Sequence, residues 1–184
     1  LLIFIAMILV SAVAAGVLVQ TAYMLQQQAE STGDQALKEV ATGLRVLTVF
    51  GKTNDDYSVI TDIYMKVTLS AGSPVINLFH LIIEISTGDY DVSLNYTSVA
   101  AGEGAFNATS VRDTYPYNNW TATDVGLTQG DIVLLHVNLT AQSTDMSLRT
   151  QQDVTMLLIP KHGIPTYVAL TTPSVIASTY EFLA

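Results

Sequence analysis

The chain contains no cysteine. That excludes a disulfide framework and any thiolate-ligated metal site, and it leaves the redox compartment open. Positive charge is scarce: seven Lys and Arg stand against sixteen Asp and Glu, giving a net charge of −9 over 184 residues. Nucleic acids and anionic membrane surfaces both select for clustered Lys and Arg, so neither is an expected partner surface. Proline does not occur before Pro74, and no charged side chain precedes Glu30. Catalytic patterns are missing as well. His80, His136 and His162 are scattered, and there is no H-x-x-x-H, G-x-S-x-G or glycine-rich phosphate loop. No enzyme activity and no cofactor are expected. Asp55–Asp56 and Asp89 with Asp91 sit beside turn signals. Such acids supply part of the six to eight oxygens that a hard cation such as Ca²⁺ takes, or simply keep a turn solvated, and no metal is assigned from them.

What is present divides near Gly51. From Leu1 to Val19 the chain is apolar on every side, the pattern of a helix buried all round or held in lipid. Further on the stripe narrows: Leu37, Val40, Leu44 and Leu47 alternate spacings of three and four, with Asp34, Lys38, Glu39 and Arg45 between them. The pattern predicts one helix from Leu1 to about Phe50, roughly 75 Å long at ~1.5 Å per residue and longer than a small domain needs. Ala6, Ser11, Ala12, Ala14, Ala15 and Gly16 would let neighbouring helix backbones approach closely, although Ala is also simply a good helix former. The first domain is accordingly taken as residues 1–50 and the second as residues 51–184.

After Gly51 the period becomes two. Ile63, Met65, Val67 and Leu69 alternate with Tyr64, Lys66 and Thr68, as in a strand with one buried face. Short runs of similar kind follow at Val75–Ile85, Tyr90–Tyr96, Asp131–Leu139, Asp153–Ile159 and Thr166–Thr171, with Gly, Pro and Asn between them. The fold class expected is α+β: a long N-terminal hydrophobic helix followed by a C-terminal antiparallel β-sandwich of immunoglobulin-like kind.

Four N-x-T sequons cluster in this second part: Asn95–Tyr96–Thr97, Asn107–Ala108–Thr109, Asn119–Trp120–Thr121 and Asn138–Leu139–Thr140. Together they point to an exported, N-glycosylated chain. Strand alternation sets Asn138 opposite Val133, Leu135 and Val137, and Asn95 opposite Val92 and Leu94, both on the expected wet face. Ala101–Gly126, rich in small residues, Tyr and Asn, reads as an exposed loop region carrying Asn107 and Asn119. The sequence does not open on Met, and any basic signal region and cleavage site are expected upstream of Leu1.

The block Leu1–Val19, the Gln-rich turn after it and Thr32–Gly33 resemble the start of archaeal flagellins, the archaellins. The likeness continues through Gly51–Lys52, Val67–Ser73, Leu127–Asp131, Ile159–Pro165 and Thr171–Ser174, so it spans nearly the whole chain. Bacterial type IV pilins resemble it less, since they typically carry a Glu near the start of the helix. The resemblance implies a type IV pilin-like precursor trimmed by a prepilin-type peptidase and held in the membrane by its helix. The archaellum assembly machinery would then build it into the extracellular swimming filament, as a homopolymer or mixed with related archaellins. The β domains of such filaments form the outer surface and are commonly glycosylated.

Physical reasoning independently favours polymerisation. A helix that is apolar all round must keep its surface out of water after leaving lipid, and a bundle of like helices provides that. Heterologous contacts between identical subunits that do not close into a ring generate a filament of indefinite length. Two alternatives stay open at this point: a static archaeal adhesion pilus, and a cell-surface binding module tethered by one membrane helix.

Overall fold

The structure is a computed structural model of the chain, and it describes residues 1–114, 120–121, 125–142 and 145–183. The chain divides into two compact units, Leu1–Glu39 and Val40–Ala184.

Helix α1 spans Leu2–Ala41. Its sequence has no proline and is rich in Ala, Leu and Gln, which lose little rotamer freedom in a helix. The Thr21 and Thr32 hydroxyls donate to the carbonyls of Val17 and Gln28, one turn back. Gln26 donates to Glu30 at 3.1 Å across one turn. At ~1.5 Å per residue the helix is about 60 Å long.

The helix expected to reach Phe50 stops at Ala41, and Leu44–Thr53 is strand β1. Leu44 and Leu47 kept the helical spacing by coincidence, and pairing partners elsewhere in the chain decide the outcome. Gly43 accepts from the Ser70 N–H at 3.0 Å and donates its own N–H to Ser73 Oγ at 3.3 Å. A Cβ on Gly43 would sit 3.2 Å from Ser70 Oγ, a tight contact that the Ser70 side chain would have to yield to. Beyond it the β-branched Val46, Thr48 and Val49 suit the pleat. Leu44 and Val49 are buried. The boundary drawn at residue 50 therefore moves back to the helix end.

The second unit is built on strand β2 (Ile60–Leu69), which pairs along β1 from Leu44↔Leu69 to Thr53↔Ile60. The remaining strands are β3 (Ile76–Asn77), β4 (Ile82–Thr87), β5 (Asp91–Tyr96), β6 (Ala105–Arg112), β7 (Gly126–Leu127), β8 (Ile132–Asn138), β9 (Asp153–Ile159), β10 (Thr166–Thr171) and β11 (Tyr180–Phe182). Nine of them form one sheet in the order β10-β9-β4-β5-β6-β8-β2-β1-β11, and β3 pairs with β7. A long apolar helix followed by a β-rich domain is the architecture expected from the pattern. Two details differ from a purely antiparallel sandwich of separate sheets. β5 and β6 run parallel over Asn95↔Ala105 and Tyr96↔Phe106. The β10 end also curls back to β1, through a parallel bridge Gly43↔Ile164 and a Thr166 hydroxyl on the Leu44 carbonyl at 2.8 Å.

Both halves of the sheet point their alternate residues into one core. Ile63, Met65, Val67, Val133, Leu135 and Val137 come from one half, and Ile83, Ile85, Met156 and Leu158 from the other. The expected strand Val75–Ile85 is interrupted by a 3₁₀ turn at Leu78–His80, which Asn77 caps by accepting the Phe79 N–H at 2.8 Å. The expected loop Ala101–Gly126 contains β6, whose inward Phe106 and Ala108 carry too weak an apolar signal to reveal it.

Candidate functional site

The first candidate surface is α1 itself. None of its residues is buried. Leu2 is 84% exposed, and Phe4 at 75% and Leu18 at 70% lie on the opposite side of the helix. Leaving such side chains in water costs ~1.5–3 kcal/mol each, so the segment as a whole carries tens of kcal/mol of uncovered apolar surface. The expected packing residues Ala6, Ser11, Ala12, Ala15 and Gly16 all lie on α1 and are exposed. Ser11 with Ala15 and Ala12 with Gly16 are i, i+4 pairs, which line up small residues where a second backbone can approach. A Cβ on Gly16 or Gly33 would meet nothing within 4 Å. Each glycine costs about 1 kcal/mol against Ala inside a helix.

The second candidate surface is the outer face of the β unit. In register, Asn107 of β6 stands opposite His136 of β8, His136 opposite Tyr64 of β2, and Tyr64 opposite Phe50 of β1. The Tyr64 and His136 rings stack at 4.5 Å, and the Phe50 and Tyr64 rings at 5.3 Å. Tyr180 closes on the row edge-on, 6.1 Å from Phe50. His136 Nε2 meets Asp62 Oδ1 at 2.8 Å, and Lys66 Nζ lies 5.9 Å from the Phe50 ring centre. Burial, then the charges of Asp62 and Tyr180, push the Tyr64 hydroxyl up from its ordinary value. The row ties four strands together on the side away from the core.

The sequons occupy different settings. Asn95 is exposed on β5. Asn107, expected on a loop, lies within β6, half-buried, and its Nδ2 donates to the Val99 carbonyl. Asn138 ends β8, and its Oδ1 accepts from the Thr140 N–H at 3.0 Å, the Thr140 hydroxyl at 2.8 Å and the Ala141 N–H at 3.0 Å. Asn119 falls outside the described residues.

The other chemistry-bearing groups do not converge. Among the described residues no three His, Asp or Glu side chains come close enough to hold a metal ion. Asp55, Asp56, Asp89 and Asp91 are exposed, as are His80 and His162. The polar residue that the pattern reading passed over is Asp131, only 2% exposed. Its Oδ2 accepts from the Thr128 N–H at 2.9 Å and hydroxyl at 2.6 Å, and its Oδ1 from the Thr114 N–H at 2.8 Å. Burial pulls this carboxyl up, but the hydrogen bonds from Thr128 and Thr114 outweigh it and hold the group below the usual carboxylate range. The spacing Thr128-x-x-Asp131 was the available signal, since a Thr and an Asp three apart can close a turn.

A long helix with no residue buried and a β unit that encloses its own core fit a filament subunit. The family model for archaeal-type flagellin matches residues 1–170. The chain belongs to that family, whose members are structural subunits of the archaeal swimming filament. Flagellin B2 of Methanocaldococcus jannaschii is 35% identical over 202 aligned positions, covering 100% of this chain and 90% of that protein. Flagellin B4 of Pyrococcus abyssi is 32% identical over 211 positions, covering 99% and 92%. Among solved structures, archaeal flagellin FlaB1 of M. jannaschii matches with a TM-score of 0.69 at 21% identity, over 78% of this chain and 97% of that one. The archaeal flagellum of Methanospirillum hungatei matches with a TM-score of 0.72 at 15% identity, over 100% and 96%. At these identities the two structures bear on the fold, and they agree with it.

Proposed function

We propose that this chain polymerises through α1 into the extracellular filament of an archaellum. The precursor is held in the membrane by the same helix, trimmed by a prepilin-type peptidase and passed to the archaellum assembly machinery. The observation that carries this reading is a helix of which no residue is buried, apolar on every side from Leu1 to Val19. In lipid its apolar surface is satisfied, and in a bundle of copies it is satisfied again, so transfer between the two avoids the tens of kcal/mol that exposure to water costs. Small residues matter in both settings, because neither offers a hydrophobic gradient between helices and association depends on close packing. The β unit needs nothing from α1 to complete its core and remains available as the outer layer. It carries N-linked sugars on sequons drawn from Asn95, Asn107, Asn119 and Asn138.

The test is to supply the chain to an archaeal host lacking its own flagellins, then to follow swimming and examine surface filaments by electron microscopy. Filaments containing this protein, together with restored swimming, support the reading. Attachment without swimming indicates an adhesion pilus. Monomers retained in the membrane indicate a tethered surface module.

A further inference from the structure

We propose that Asn138 is the sequon the fold prepares for a sugar and that Asn107 is kept from one. This rests on the reading of the β unit as N-glycosylated. The transfer forms a bond between Asn Nδ2 and C1 of a sugar and breaks the bond from C1 to the phosphate oxygen of a lipid-linked donor. The lipid phosphate leaves with the electron pair, and one amide proton passes to a base on the transferase. The acceptor must therefore present a nitrogen with no other engagement, on a backbone that a second protein can grip.

Asn138 meets the first condition in full and the second on its C-terminal side: it is half-buried and pairs with Asp62 as the last residue of β8, and the buried Leu139 follows before the chain leaves the ladder. Its three side-chain hydrogen bonds all fall on Oδ1, and two of them come from its own sequon residue Thr140. The carbonyl half of the amide is anchored, and among the described residues no hydrogen bond falls on Nδ2. The ladder ends here as well. Leu139 still donates to the Thr61 carbonyl at 2.9 Å, but Thr140 has left the strand and begins a turn. Gln142 fixes that turn by donating from Nε2 to the Asn138 carbonyl at 2.7 Å. A sugar on Nδ2 breaks none of these contacts.

Asn107 meets neither. Its Nδ2 is already committed to the Val99 carbonyl. Its whole sequon is locked in the sheet, with Asn107, Ala108 and Thr109 paired to His136, Leu135 and Leu134 of β8. Presenting it to a transferase after folding requires unzipping β6 from β8. Attaching a sugar before folding places a bulky group where the chain must pack against Val99. Either order of events ranks the two sites the same way.

The experiment is site-by-site peptide mass spectrometry of the full chain recovered from its native surface filaments, alongside the variants Thr140→Ala, Thr140→Ser and Asn107→Gln. Asn138 helps to cap its turn, so Thr140→Ala is the better deletion: it removes the acceptor sequence while leaving Asn138 with its two backbone donors. The expected result is occupancy at Asn138 at least tenfold above that at Asn107. Thr140→Ala should lose the mass of one glycan, Thr140→Ser should regain it, and Asn107→Gln should match the parent. A sugar on Asn107 with Asn138 bare overturns the inference while glycosylation itself stands. Bare asparagines at all four sequons overturn both.

Discussion

Asp131 offers a quantitative test of how the β unit is held. Replacing it with Ala removes the acceptor for two backbone N–H groups and one hydroxyl, donated by Thr114 and Thr128. A hydrogen bond to a charged group contributes about 1.5–3 kcal/mol, and three that share one carboxylate add incompletely, so the expected loss is about 3–5 kcal/mol. For a domain of this size that corresponds to a fall in melting temperature of roughly 10 °C. All the core residues lie in the second unit, so a fragment beginning at Val40 is the sample to melt. The sign of the pH dependence follows from the lowered pKa of Asp131. Its carboxylate contributes in full above the unfolded-state value of about 3.9, and the contribution is lost as pH falls through the lower folded value. Below about pH 5 the parent should lose stability progressively, while Asp131→Asn, already weakened at neutral pH, should lose less. An Ala variant melting within about 2 °C of the parent, or parent and Asn variant falling in parallel on acidification, would refute the assignment.

Further outcomes follow from particular contacts. Gly163 has φ +99°, and a Cβ there would overlap the Thr42 carbonyl, so Gly163→Ala should cost about 3 kcal/mol or more in the same melting assay. Met65 is fully buried between the sheet halves, and Met65→Ala should cost about 2–5 kcal/mol without shifting the pH dependence. Tyr64→Ala removes the middle ring of the Phe50–Tyr64–His136 row, and should cost about 1–3 kcal/mol in denaturant unfolding with the slope unchanged.

The sequence was most legible where one force acted alone. An unbroken apolar run defined α1, and short apolar runs bounded by Gly, Pro and Asn placed β9 and β10 at Asp153–Ile159 and Thr166–Thr171, the same limits as in the structure. Legibility failed where a distant partner decided the local state. Leu44 and Leu47 fit a helical stripe, and only the pairing of β1 with β2 and the glycine contact at Ser70 show why the chain turns there instead. β6 was hidden because Phe106 and Ala108 alone carry its buried face, flanked by polar and small residues. The sequons could be read from spacing, but the difference between Asn107 and Asn138 depends on the Val99 carbonyl and on the end of a ladder, which no local pattern encodes. Asp131 stood only as the first residue of the run Asp131–Leu139, and three donors from two segments make it a buried anchor.

The central claim is that α1 buries its apolar surface against other copies of itself. Ala12→Asp tests it most directly, because it places one carboxylate among the small residues of the helix and leaves the sequence of the β unit unchanged. A carboxylate is expensive at the centre of an apolar helix, and at position 12 it also takes the place of a small side chain where a second backbone would approach. Electron microscopy of surface filaments from a host that expresses only the variant should show none, with the protein still present in the cells and Ala12→Ser filaments normal. Ala12→Asp filaments of ordinary length and abundance would contradict the account.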